Sequence, residues 1–223
     1  MKKNLFSVII LALAICCTSC NWFDSNNGPA NELGGDSKIA INTVGNKFTP
    51  SISVDGKYVS AESSIKIIES VNGLNTIEFK VDLTKVPSLA GLNSIIPSNL
   101  KGSDGKLNFT TKVKMTDEGI LDYSNSDQAP FVAVKYDSNV GDKYTLKKSS
   151  GETITRTVVR KSTTDDYYWG GMIIKTIDVE QTDCYPGIKK YQYFFNHKFG
   201  VVGVAITTED GSVLRLGFVP TTY

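Results

Sequence analysis

Past residue 37 the chain alternates apolar and polar residues with a period of two, most cleanly over residues 106–115. Leu107, Phe109, Val113 and Met115 share one side with Thr111 among them, and Lys106, Asn108, Thr110, Lys112 and Lys114 share the other. Successive side chains of a strand point to opposite faces, so this pattern predicts one buried and one wet face. Residues 76–83 repeat it, after an apolar run at 65–71 and the pair Asn72-Gly73. Asn-Gly accepts the left-handed backbone of a two-residue hairpin. The C-terminal half continues in the same way. Residues 142–148 and 153–161 flank Ser149-Ser150-Gly151, residues 172–181 and 189–195 flank Cys184-Tyr185-Pro186-Gly187, and residues 199–207 and 212–219 flank Glu209-Asp210-Gly211. Connections this short join antiparallel neighbours, because a parallel crossover needs a dozen residues or more.

The exception is residues 87–100, where Leu89, Leu92, Ile95 and Ile96 recur at helical spacing between Pro87 and Pro97 and predict a short amphipathic helix lying on the sheet. The expected fold is therefore mainly β: an antiparallel meander forming a curved sheet or open barrel with one short helix, as a single domain over residues 38–223. Alternation also puts Tyr191 and Tyr193 on one face and Phe194 on the other. One of those faces is exposed unless the sheet is covered on both sides.

The N-terminus reads differently. Lys2 and Lys3 precede an apolar run from Leu5 to Ile15, followed by Cys16-Cys17-Thr18-Ser19-Cys20. A positive start and a short apolar run make an export signal. A cysteine after two small residues resembles the lipobox of bacterial lipoproteins, in which the thiol is acylated and becomes the new N-terminus. The resemblance implies a signal peptide at 1–19, a lipidated Cys20 and attachment to the membrane through that lipid. Its Ser-Cys ending resembles that of Bacteroidetes lipoproteins, which sets the expected location at the outer membrane, on its periplasmic or surface side. Residues 20–37, rich in Asn, Asp, Ser and Gly, have too little apolar area to offset ordering and are expected to form a flexible tether. Trp22 and Phe23 fall beside the lipid, where aromatic rings suit a membrane interface. Only Cys184 would remain in the mature domain, so no intrachain disulfide is expected. A helix over the concave face of a curved antiparallel sheet is similar in architecture to the half-barrels of lipoprotein carriers, a resemblance that implies an acyl-binding space between sheet and lid.

Charge narrows the function classes. The chain has 24 Lys plus Arg and 23 Asp plus Glu; without Lys2 and Lys3 the balance is 22 against 23. Nucleic-acid binding needs clustered cations to release counterions, and it is not expected here. His197, the single histidine, lies in a turn-like Asn196-His197-Lys198, and one imidazole without a second ligand or a triad partner argues against a metal or catalytic role. Cys184 stands alone. The pairs Asp117-Glu118, Asp165-Asp166 and Glu209-Asp210 sit at strand ends as solvated turns, and no calcium loop, phosphate loop or nucleophile elbow is present. No cofactor and no catalytic residue is expected.

The richest local signal is Tyr167-Tyr168-Trp169 before Gly170-Gly171. These rings could border a ligand, with the glycines allowing an irregular backbone, or they could be strand core, where aromatics are favoured. The expectation is a non-enzymatic binding or structural module of the cell envelope, taking an apolar or glycan ligand. One alternative is a glycan-active hydrolase with Asp165 or Asp166 as an acid/base; another is a structural component of a surface assembly.

Overall fold

The computed structural model describes residues 31–82, 101–182 and 188–221. Fifteen strands occur among them. In the N-terminal half these are β1 (Lys47–Val54), β2 (Lys57–Val59), β3 (Ser63–Val71), β4 (Leu74–Val81), β5 (Leu107–Met115), β6 (Gly119–Asp122) and β7 (Phe131–Lys135). The C-terminal half supplies β8 (Lys143–Lys147), β9 (Thr153–Lys161), β10 (Tyr167–Trp169), β11 (Met172–Ile174), β12 (Ile177–Gln181), β13 (Ile188–Asn196), β14 (Gly200–Thr208) and β15 (Val213–Pro220). Thirteen of them form one antiparallel sheet in the order β7-β6-β5-β4-β3-β1-β15-β14-β13-β12-β9-β8, with β2 beside β1. Its two ends, β7 and β8, come together, so the sheet curls into a nearly closed barrel. The helix expected over residues 87–100 lies outside the described residues, where the one helical element is a 3-10 turn, Ala40–Asn42.

Local sequence explains most of the hairpins. Asn72 and Gly73 take φ of 51° and 79° and turn β3 into β4, as the left-handed pair requires. Gly73 is needed on a second count, since a Cβ there would lie 2.6 Å from the Ser37 Cβ. In β5 the apolar side is buried as expected at Leu107, Phe109 and Met115, while Val113 is half-buried and Lys112 exposed. One expected strand breaks in two. Residues 172–174 pair with β10, whereas 177–181 pair with β9 and β13. The break falls at Thr176, whose backbone exchanges bonds with Ser162: Thr176 N–H donates to the Ser162 hydroxyl at 3.2 Å, and Ser162 N–H donates to the Thr176 carbonyl at 2.8 Å.

Side chains replace the missing ladder at the seam between β7 and β8. Asn31 spans it, donating from Nδ2 to the Thr145 carbonyl at 3.0 Å and accepting the Val132 N–H at 3.1 Å. Lys135 N–H donates to the Tyr144 hydroxyl at 3.3 Å. Residues 31–37, read in the sequence as the end of the tether, thus lie on the barrel wall. Leu33 packs on Leu121 and Val132, and Asp36 and Asp117 exchange two hydrogen bonds of 2.7 and 3.0 Å. An asparagine side chain carries a donor NH2 and an acceptor oxygen, so a residue that looks like linker in sequence can satisfy two strand edges at once.

Two buried clusters fill the ends of the barrel. The upper one, where β4 ends and β5 begins, contains Phe79, Leu107, Phe109, Tyr191, Ile206 and Leu214. The lower one gathers Ile67, Met115, Ile120, Val179 and Phe195 around Ile41 of the 3-10 turn. Asn42 fixes that plug by donating to the carbonyls of Ser37 (2.8 Å) and Met115 (2.9 Å) and accepting from Asn75 at 2.7 Å.

Candidate functional site

The Tyr167-Tyr168-Trp169 segment forms β10, and Gly170 and Gly171, with φ of 56° and 86°, close a regular two-residue hairpin into β11. This hairpin lies on the outer wall of β13–β15. Trp169 is 4 % exposed, its indole donates to the Phe218 carbonyl at 3.0 Å, and its ring centroid is 4.6 Å from that of Phe199. Tyr167 stacks on Phe194 at 5.0 Å. Tyr168 points away, 73 % exposed, beside Ile173 at 59 %. The three aromatics are therefore divided between an outer core and solvent, and the hairpin supplies the second cover that buries Phe194 while Tyr191 and Tyr193 face inward.

A polar clip holds the hairpin. A bulge opposite Asp178/Val179 turns Arg160 to the outer face, where it pairs with Asp166 and, at 3.2 Å, with Asp178. The Ser162 hydroxyl donates to Asp166 at 2.7 Å and the Thr176 hydroxyl to Asp178 at 2.7 Å. Hydrogen bonds from Ser162 and Arg160 hold the Asp166 carboxyl below its ordinary range by favouring the charged form. Asp166 and Asp178 share one guanidinium instead of facing each other across a cleft. Asp165 is exposed, and His197 lies exposed in the turn after β13, edge-on to Tyr136. Among the described residues no group of three or more His, Cys, Asp or Glu could hold a metal. Cys20 and Cys184 lie outside the described residues.

Two features that sequence reasoning missed have the geometry of a site. The first is inside the barrel, at mid-height. Phe48, Ile77, Tyr193 and Val201 pack against both the upper and the lower cluster, yet each stays partly exposed. Thr111, opposite Ile77 in register, has a buried hydroxyl oxygen with no partner. One flank of this level is polar. Arg156 of β9, 4 % exposed, donates to Asp122 (2.6 Å), Gln181 (3.1 Å) and the Val132 carbonyl (3.4 Å). Its guanidinium lies 4.1 Å from the Phe131 ring centroid and 5.2 Å from that of Tyr193. The signal for Arg156 was present in the sequence, because Ile154-x-Arg156-x-Val158 puts a cation on an apolar face. The belt has no sequence signal, since alternation says which way a side chain points and not how completely its neighbours cover it.

The second feature is a cleft of about 400 Å³ on the upper rim, where β3, β4 and β5 meet. Register aligns Ser64, Lys80 and Asn108 in one row across the three strands. The next row holds Glu62, Asp82 and Lys106: Asp82 N–H donates to the Glu62 carbonyl at 2.8 Å, and Asp82, 3 % exposed, pairs with Lys106 at 3.2 Å.

Fold and sites together define a class, an antiparallel β-barrel with a side-chain-sealed seam, a plugged lower end and a polar upper rim. No family model matches the chain, and no curated protein matches it. It is similar to the crystal structure of a Bacteroides fragilis protein described as exported and of YmcC-like fold, at 10 % identity over 81 % of this chain and 97 % of that one, with a TM-score of 0.48. A second solved structure, of a hypothetical protein from Chlamydia trachomatis, overlaps at 9 % identity over 84 % and 92 % of the two chains, with a TM-score of 0.28.

Proposed function

We propose that this chain is a non-enzymatic binding module of the bacterial envelope, anchored through an acylated Cys20, that takes an apolar ligand into the middle of its barrel. The observation that carries the reading is the belt of Phe48, Ile77, Tyr193 and Val201, inward-facing and partly exposed between two buried clusters. Apolar side chains that keep accessible area inside a fold gain free energy when a ligand covers them, at about 25 cal/mol per Å², and mostly apolar walls with few polar groups typify ligand sites.

The test is a titration of the chain from Asn21 onward, made without its signal, with dodecanol and with an environment-sensitive apolar dye. Saturable binding is expected, and Ile77→Trp, which puts a bulkier indole in place of an aliphatic side chain at mid-height, is expected to weaken it by ~tenfold or more, about 1.4 kcal/mol. An absence of saturable binding, or equal affinity in Ile77→Trp, overturns the reading. Trp169 packs on the outer wall, so its emission is not the reporter to follow. The anchor is tested separately: a fatty-acid label incorporated in cells is expected to disappear in Cys20→Ala, and its persistence would move the acylation site elsewhere.

One observation favours a second reading, a component of a surface assembly. Tyr168, Met172 and Ile173 leave 73 %, 46 % and 59 % of their surface exposed on one small hairpin, and exposed apolar residues grouped in this way mark contact surfaces.

A further inference from the structure

Two buried side-chain oxygens of β4 and β5, Asn75 Oδ1 and Thr111 Oγ1, have no hydrogen-bond partner among the described residues. Register sets Ile77 opposite Thr111 and Asn75 opposite Val113, and Ile77 and Val113 both pack on the lower cluster. Side chains two residues apart on a strand share a face. Asn75 and Thr111 are therefore diagonal neighbours on the inward face, Thr111 level with the belt residue Ile77 and Asn75 one row below it.

Hydrogen bonds fix which way the Asn75 amide points. Asn42 meets two carbonyls, those of Ser37 at 2.8 Å and Met115 at 2.9 Å, and only its Nδ2 can donate to them. Its Oδ1 is thereby turned to Asn75, whose Nδ2 donates to it at 2.7 Å and to the Gly73 carbonyl at 3.1 Å. Turning the Asn75 amide over would set two oxygens against each other. Its Oδ1 is thus held as a bare acceptor on a residue that is 0 % exposed. A buried acceptor without a donor costs free energy that an arriving donor recovers.

That chemistry selects among apolar ligands by their polar end. A carboxylate has no proton to give Asn75 Oδ1. Nor does Arg156 stand free to receive one, being engaged by Asp122, Gln181 and the Val132 carbonyl. An ether can accept from Thr111 but donates nothing. A hydroxyl does both, and two hydrogen bonds of about 2.8 Å meeting at one oxygen suit side chains on diagonal positions, whose Cα atoms are about 7–8 Å apart. Resting on the mid-barrel reading above, we propose that Asn75 and Thr111 form the polar end of that site and select a neutral ligand with a hydroxyl head, a long-chain alcohol, whose hydroxyl donates to Asn75 Oδ1 and accepts from Thr111.

The test is competition against the apolar dye on the chain from Asn21 onward, with dodecanol, its methyl ether and dodecanoate at mildly alkaline pH. Dodecanol is expected to bind at least about tenfold more tightly than either analogue, because a site built around a hydrogen bond discriminates against ligands that cannot make it. Asn75 belongs to the plug and is left intact. Thr111→Val, close to isosteric, is expected to cut the preference for the alcohol over the ether about fivefold while leaving the affinity for the ether unchanged. Thr111→Ser, which keeps the hydroxyl, is expected to retain the preference. Saturable dye binding with equal affinity for alcohol and ether, tighter binding of dodecanoate, or a preference that survives Thr111→Val overturns the hydroxyl head while leaving the mid-barrel site standing, with a buried water meeting the two oxygens instead. Dye binding that never saturates overturns both.

Discussion

Replacing Arg156 by alanine is expected to destabilise the domain by about 3–5 kcal/mol, the usual cost of leaving one member of a buried ion pair alone. The side chain is 5 % exposed and its partner Asp122 16 %. Its removal takes the countercharge from the Asp122 carboxylate, which keeps only the two bonds from Ser124, ends the bonds to the Val132 carbonyl and Gln181 Oε1, and uncovers the faces of Phe131 and Tyr193. Val132 belongs to the seam, so the loss should also loosen β7 from β9, read as faster exchange of the β7 amides. Urea denaturation gives the direct measure: the midpoint should fall at nearly constant slope. The double variant Arg156→Met with Asp122→Asn should recover part of the loss, because no unpaired charge remains. A single variant within about 0.5 kcal/mol of the parent would mean that the guanidinium merely occupies space.

A loss of similar size is expected for Phe109→Ala, about 3–5 kcal/mol from forfeited transfer energy plus a cavity. Phe109 is 9 % exposed and faces Phe79 across the β4–β5 register, with ring centroids 4.9 Å apart and planes 1° from parallel. Truncating it removes that stack and opens the upper cluster. Lys112→Ala, three residues away on the outward face, should change stability by no more than about 0.5 kcal/mol. Equal midpoints for the two variants in the same denaturant series would reverse the assignment of faces in β5.

Asn72-Gly73 shows how far local sequence reaches. Its left-handed backbone and the alternation on either side are properties of a dozen residues, and they set the β3–β4 hairpin from the turn as far as the bulge at Ile68, beyond which the register shifts by one residue. The same holds for the turns at Ser149-Ser150-Gly151 and Glu209-Asp210-Gly211, and for the inward set of β5. Where two readings shared one local pattern, sequence could not choose. Residues 172–181 alternate well enough for one strand, and only the competing bonds of Thr176 with Ser162 divide them.

The candidate sites were less legible than the strands. Tyr167-Tyr168-Trp169 drew notice by composition, yet burial of Trp169 and Tyr167 on the outer wall depends on β14 and β15, which follow them in the chain by thirty residues or more. The rim cleft consists of serines, lysines and carboxylates that look like ordinary strand ends until three strands align them.

Sequence by itself determined that the chain is an antiparallel β-domain, which residues of its clearest strands face inward, and where its tightest turns fall, because these follow from a two-residue period and from backbone preferences of single residues. The tertiary structure decided the rest. Closure required β1 to pair with β15, Phe48 opposite Pro220, and Asn31 to reach both Val132 and Thr145. Burial of both sheet faces required a hairpin laid outside, and the belt of Phe48, Ile77, Tyr193 and Val201 exists because four different strands bring these residues between the two clusters. Each depends on groups far apart in the chain meeting in space, a geometry that local periodicity does not encode.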